Sequence, residues 1–278
     1  MVPIPVSRLP LPSLLFPLPV LLTEAIILHV ADYLESSRIL RLATREAGLQ
    51  SVVARGARNS RRRFGSAVDL FAQGQAQVET RPGRDLHTLV SFDVASSHPG
   101  LAGHLARFSA ASAIAEVAMR VVHEEAAPVV FGGLGQALAT LAEQEGDRTI
   151  STALGALWRL VCDVGFSPSL DQCAECHADV AANEHAIFSH LAGGVLCARC
   201  GARSLGGRRL PASARDAVRS WLRDGDAELS HSDARAHQRL LREFIGHHLT
   251  DGRPMRAYAV WESGGLDVVT AQSVFNTL

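Results

Sequence analysis

The chain has 278 residues, 47% of them hydrophobic and 20% charged, at a formal net charge of −1. That is globular composition, long enough for two domains and a sizeable core. All 27 basic residues are arginine, so a P-loop, a Schiff-base lysine and a kinase strand lysine are excluded, while bidentate phosphate binding by guanidinium stays open.

Residues 1–22, "MVPIPVSRLPLPSLLFPLPVLL", hold six of the 12 prolines. The prolines interrupt the apolar run, Arg8 is the lone positive charge, and no small-residue cleavage site follows. The segment therefore reads neither as a signal peptide nor as a membrane helix. It reads as a disordered extension or a start assigned too far upstream. No other stretch is apolar enough to span a bilayer, which predicts a cytoplasmic protein with no membrane partner.

Residues 23–96 carry a β pattern. Strands are predicted over 25–31, 38–44, 49–55, 68–79 and 86–94. In the fourth, Val68, Leu70, Ala72, Ala76 and Val78 fall on one face and Asp69, Gln73, Gln75, Gln77 and Glu79 on the other, the period of a half-buried strand. Gly74 inside it predicts a bulge or a sharp coil, and Arg81-Pro82-Gly83-Arg84 predicts a turn. Five short, coiled strands suit a small barrel of the OB type.

From residue 97 to 262 the period is helical. Leu101, Leu105, Phe108, Ala115, Met119 and Val122 form one predicted stripe; Leu134, Leu138 and Leu141 a second; Ile150, Leu154, Leu157 and Val161 a third. Further helices are predicted near 211–224, with Pro211 in the first turn, and 231–248, with Ser230 or Ser232 as cap. Residues 263–278 form a tail without periodicity. The fold class is α+β: an N-terminal barrel, then a mainly helical domain.

A cysteine module spans 171–204. Cys173, Cys176, Cys197 and Cys200 have the spacing C-x2-C, twenty residues, C-x2-C. Two thiolate pairs brought together make a tetrahedral site, and this spacing predicts one structural zinc ion. Disulfides do not suit a cytosolic chain, and a redox pair would need a βαβ context. A set of three cysteines with His177 is the alternative ligand set. Cys162 lies in an apolar stretch and reads as packing. A zinc-deaminase reading finds H-x-E at His123–Glu125, but the first cysteine pair comes some 50 residues later and follows Gln172, where proline is required. "GGLGQAL" at 132–138 lacks the third glycine of a dinucleotide loop, and His247 and His248 read as helix-end residues. No catalytic residue is assigned.

The arginines are segregated. Between Arg38 and Arg84 lie ten arginines and three acids, a net +7 on the barrel, so the rest of the chain carries −8. Arg55, Arg58, Arg61, Arg62 and Arg63 crowd into nine residues. Like charges that close repel unless an anion relieves them, so Arg38, Arg55, Arg58, Arg61, Arg62, Arg63, Arg81 and Arg84 are the candidate nucleic-acid contacts. A merely solvated loop is the competing reading. The barrel's aromatics are few: Tyr33, Phe64, Phe71 and Phe92. Backbone electrostatics should therefore outweigh base stacking, giving sequence-independent, salt-sensitive binding.

Three stretches resemble the bacterial RecO family of recombination mediators: "DYLESSRILRLATREAGLQSVVARGARNSRRRFG" at 32–65, "RPGRDLHTLVSFDV" at 81–94, and "GFSPSLDQCAEC…AIFSHLAGGVLCARC" at 165–200. The resemblance covers roughly residues 23 to 262, and the order of barrel, helices and four-cysteine module matches too. It implies a non-enzymatic DNA-repair and recombination protein that binds single- and double-stranded DNA and anneals complementary strands. It also implies contacts to RecR and to the C-terminal tail of the single-strand-binding protein, loading of RecA indirectly, and a nucleoid-associated place in the cytoplasm. The four cysteines carry over as zinc ligands and the barrel-loop arginines as DNA contacts. The tail's pocket should lie on the helical domain near an arginine; Arg107 and Arg120 are candidates by position. The proline-rich start and the lack of lysine depart from the family. An OB-fold zinc protein that binds RNA or ribosomes is the alternative.

Overall fold

Strands with apolar residues on alternate positions can close a sheet on itself and leave no edge. The computed structural model, which describes residues 19–57, 64, 68–123, 125–144, 148–181, 185–250 and 252–264, has this arrangement in its first third. Strands β1 (Val20–Tyr33), β2 (Ser37–Thr44), β3 (Gly48–Ala54), β4 (Gln73–Glu79) and β5 (Leu86–Ser96) form a closed barrel in the order β1-β2-β3-β5-β4. All pairings are antiparallel except β3 with β5. Ile27, Leu40, Leu42, Val52, Val78, Leu89 and Phe92 fill the interior. β1 is apolar on both faces because Ile26 and Leu28, with Ala43, Leu49 and Phe71, belong to the helical core instead.

The fourth strand differs from its prediction. It begins at Gln73, not at residue 68. The preceding residues turn: Phe71 N donates to Ile27 O, and Ile27 N to Ala72 O, at the point where β1 slips register. Phe71 takes a φ of 68° and swings its ring out of the barrel, edge-on to Phe108 at 5.8 Å. Gly74 does mark a bulge. The β4–β5 register shifts there, and a Cβ would come within 2.1 Å of Asp93 O.

The helices are α1 (Pro99–Ala102), α2 (Leu105–Val121), α3 (Pro128–Glu143), α4 (Arg148–Asp163), α5 (Ala198–Gly201), α6 (Ala212–Leu222), α7 (His231–His248) and α8 (Arg256–Glu262). α2 is the central one. Every residue from Ser109 to Ala118 is buried, because β1, α3, α4 and α8 all pack on it and its alanines allow close approach. The single stripe predicted there is therefore too narrow, and its member Leu105 is 48% exposed. The stripes of α3 and α4 do face the core through Leu134, Leu138, Leu141, Leu154, Leu157 and Val161. Ser230 caps α7 by accepting from Asp233 N at 3.2 Å, while Pro211 stands at the cap of α6.

α8 had no counterpart in the sequence reading. Its first N–H groups are taken by a buried carboxylate on α2: Glu116 accepts from Arg256 N at 2.9 Å and Tyr258 N at 3.0 Å. Barrel and helices join at β3. Leu49 N donates to His123 O at 2.9 Å, and Arg45 lies over the Phe131 ring at 5.4 Å. Among the described residues, no helix is long and apolar enough to cross a membrane.

Candidate metal centre and nucleic-acid surface

The cysteine module is a three-stranded sheet in the order β7-β6-β8, from Ala186–Ser189 (β6), Gly194–Leu196 (β7) and Arg208–Leu210 (β8). Two tight turns present its thiols. Cys173 N donates to Ala178 O, and His177 N closes back onto Cys173 O at 2.9 Å. On the other side Gly201 N bonds Cys197 O at 2.8 Å in the single turn of α5. Gly194 lets the two halves meet, since a Cβ there would come within 2.3 Å of Ser169 O. Phe188 ties the module to the helices through Phe244, which packs on Trp158.

The four sulfurs of Cys173, Cys176, Cys197 and Cys200 all lie within 4.8 Å of one another, with Cys176 and Cys197 at 3.7 Å. A tetrahedron of thiolates at the usual zinc–sulfur distance has edges of about 3.8 Å, so the group matches a metal shell. His177 is not in the group, so among the described residues the four thiols alone lie close enough together to hold an ion. Cys162 lies outside it as well; burial pushes its thiol up.

The electrostatics suit a cation. Burial alone would raise Cys173, but the N–H groups of Cys176, Cys197 and Glu175 outweigh it and bring the thiol to about 6. Burial and then the neighbouring Cys176 push Cys200 up to about 12. Four sulfurs this close cannot all hold negative charge unaided, and a divalent ion removes the conflict by replacing their protons. Arg199 leans on the same sulfurs; its hydrogen bond to Cys176 raises its own pKa.

The candidate arginines are not all in one place. Arg58, Arg61, Arg62 and Arg63 lie outside the described residues, as does Glu124 of the H-x-E triplet. Arg38 and Arg55 sit at one end of the barrel. Arg38 is paired across β2–β3 with Ala54, contacts Asp32 at 3.5 Å and reaches Val68 O; Arg55 follows Ala54 and is exposed. Arg81 and Arg84 sit at the other end, in the β4–β5 turn, because β5 runs parallel to β3 and starts beside Ser51. Between the ends stands Arg41, which the sequence reading counted as charge but did not single out. Its neighbours Leu40 and Leu42 point inward, so it points outward, where it donates to Ser51 Oγ at 2.9 Å. Arg45, by contrast, is engaged internally with Glu24 and Phe131. Of the barrel's aromatics, Phe64, Phe71 and Phe92 are buried, and Tyr33 is exposed.

Residues 20–98 match the family described as Recombination protein O N terminal, and residues 103–257 match Recombination protein O C terminal. The chain belongs to the RecO family. Among its RecO relatives is the DNA repair protein RecO of Anaeromyxobacter sp. (strain Fw109-5), 35% identical over 242 residues that cover 84% of this chain and 91% of that one. The DNA repair protein RecO of Syntrophotalea carbinolica is 34% identical over 178 residues, 64% of this chain and 68% of that one.

The helical part of this RecO chain has a groove of about 720 Å³ between α3 and α4, floored by Leu134, Ala137, Gly155 and Trp221. Its rim carries Arg159 with Asp163, Asp224 and Asp226, and Arg159 already contacts Asp224 at 3.7 Å. The two arginines favoured by position for an acidic tail have internal partners. Arg107 donates to Ala142 O at 2.9 Å, and Arg120 to Pro254 O at 2.7 Å and Glu116 at 3.2 Å. "GGLGQAL" lies inside α3 and forms no phosphate loop.

Proposed function

We propose that this chain is a non-enzymatic mediator of recombinational DNA repair, which binds single- and double-stranded DNA by its phosphates and anneals complementary strands. The observation that carries the reading is family membership along most of the chain. The outer barrel surface supports the mode. Arg41 beside Ser51 lies on the outer face, with Arg55 at one end of the barrel and Arg81 and Arg84 at the other, while Arg38 shares the inward face of Leu40 and Leu42 and caps the barrel's interior at Val68 O. With Tyr33 the one exposed aromatic among the barrel's described residues, phosphate contacts dominate over stacking. A surface that displaces counterions holds two strands that otherwise repel, and base pairing finishes the reaction without covalent chemistry.

In this reading Cys173, Cys176, Cys197 and Cys200 hold one zinc ion, which folds the module and leaves no position for a reacting water. RecR and the tail of the single-strand-binding protein are the protein partners, with RecA loaded indirectly, in the nucleoid-associated cytoplasm. The acidic rim of the α3–α4 groove disfavours it as the seat of an acidic tail.

The test is titration of a labelled single strand at several salt concentrations, with the parent and with Arg61, Arg62 and Arg63 changed to Glu. We expect strong binding at low salt and a steep fall with salt. In the variant, the log–log slope should flatten by about two units, the loss of about three phosphate contacts. Equal binding by the variant overturns the assignment of this loop. A preference for structured RNA over complementary DNA strands favours the RNA-binding alternative.

A further inference from the structure

Helices α6 and α7 border a cleft of about 270 Å³. Ser213, Asp216 and Ser220 stand at i, i+3 and i+7 on α6, so they share one face, and that face is one wall. Asp233 and His237, at i and i+4 on α7, form another, and residues 226–229 of the connecting segment complete the lining. The lining holds the carboxylates of Asp216, Asp226, Glu228 and Asp233 and no arginine. Part of this charge is matched from outside. Arg219 pairs with Asp216 at 2.7 Å, and Arg148 reaches Asp226 and Glu228 at 3.7 and 3.8 Å. Asp233 differs. Its carboxylate accepts from the Ser230 hydroxyl at 2.6 Å, and among the described residues no cation pairs with it. The Glu228 side chain is 92% exposed, and so long and exposed a pair as its contact with Arg148 exchanges readily.

Acidic clusters are common on surfaces, but this one has a buried companion. His237 is 2% exposed, lines the cleft with Asp233, and has no hydrogen-bond partner for its Nδ1 among the described residues. Buried polar atoms are almost always paired, so an unpaired one in the wall of a cleft points to a ligand. Burial keeps this imidazole neutral, with one N–H and one lone pair. A lone pair beside carboxylates is satisfied by a donor that is positively charged and has no acceptor of its own. An ammonium group is such a donor, and no side chain of this protein supplies one, since it has no lysine.

The shape narrows the class. The four carboxylates do not converge on a point: among the described residues, the cysteines are the one group with three or more ligand atoms within 4.8 Å of one another. That disfavours a metal ion and favours positive charge spread along a chain. Pro211, Ala214, Ala217 and Leu229 also line the cleft and suit methylene carbons. Its volume lies below the ~300–1,000 Å³ of pockets for larger ligands, so a thin molecule fits and a nucleotide does not.

We propose that the α6–α7 cleft binds a linear aliphatic polyamine, with one ammonium held by Asp233 and donating to His237, and another held by Asp226 and Glu228. The site does not depend on the DNA-binding reading above.

The test is calorimetric titration of the full-length protein with spermidine, without DNA and at fixed ionic strength. We expect saturable binding that weakens at least about tenfold in Asp233→Asn and in His237→Phe, each losing one charge-assisted hydrogen bond. Asp233 is exposed, so its variant decides the matter even where loss of the buried imidazole prevents folding. Magnesium chloride at equal ionic strength should not displace the amine. A parent that binds no spermidine overturns the proposal, and so does unchanged binding in Asp233→Asn. Displacement by magnesium also overturns it, reducing the cleft to a diffuse acidic patch. Tighter binding of Nα-acetyl-lysine methylamide than of spermidine overturns it as well, making the cleft a pocket for a lysine side chain of a protein partner.

Discussion

At the scale of single residues, the buried groups set the response to conditions. His237 is 2% exposed and lies edge-on to Trp221 at 5.0 Å. Burial lowers its pKa to about 4. It is neutral in the folded protein, whereas the unfolded chain takes up a proton below its ordinary value of about 6.5. Its stabilisation is therefore complete above pH 6.5 and is lost as pH falls towards 4, by roughly 3 kcal/mol in all. We expect the urea midpoint of the parent to drop over this window and that of His237→Phe to drop less. Comparing the two cancels any acid loss of metal from the thiols. On the zinc reading proposed above, Cys173→Ser should reduce the metal bound and lower the melting temperature, as read by metal analysis and thermal denaturation. A soluble variant that melts like the parent would remove the structural role of the metal. The grouping of the four cysteines was legible because two C-x2-C pairs leave their spacing in the chain. His237 was not, since nothing local distinguishes a buried histidine from an exposed one on an amphipathic helix.

At the scale of elements, legibility followed the range of the interactions. Ser230 at the start of α7 and Gly74 at the β4 bulge act on near neighbours or on backbone geometry, and the sequence narrowed each to two options that include the one observed. Val68, Leu70 and Ala72 keep the spacing of two, but the bonds of Phe71 and Ala72 to Ile27 of β1 turn the segment instead of extending the strand. α8 escaped notice because its cap comes from another helix. Glu116 supplies both carboxylate oxygens to its first turn, and Arg120 holds Pro254 O, two residues before it. Glu116→Ala leaves those N–H groups and the Arg120 charge with fewer partners, at a cost of about 2–4 kcal/mol. Glu116→Gln, which keeps the shape, should cost less. Chemical denaturation ranks the two, and faster exchange of the amides of α8 marks where the damage lies.

At the scale of the whole molecule, the barrel and the helices share apolar contacts. Ile26, Leu28, Ala43, Leu49 and Phe71 face outward from the barrel into the helical core. The β2–β3 turn is fitted to the backbone next to α2: Gly48 has a φ of 60°, and a Cβ there would stand 2.1 Å from His123 O. We therefore expect one cooperative calorimetric transition, with the calorimetric and van't Hoff enthalpies equal. Gly48→Val should destabilise both parts together, by more than about 3 kcal/mol. A separate early transition of the barrel would contradict the shared core.

The contact between Glu116 and α8 also sets a clock for biosynthesis. Its two ends are 140 residues apart. At about 5–20 residues per second, a ribosome needs roughly 7–28 s to deliver the second end after the first. Throughout that interval the central helix carries a carboxylate that has Arg120 beside it but lacks its two backbone partners. A nascent chain that stops short of residue 254 keeps this defect permanently. The first turn of α8 thus closes onto the central helix only once residues 256 and 258 have been made.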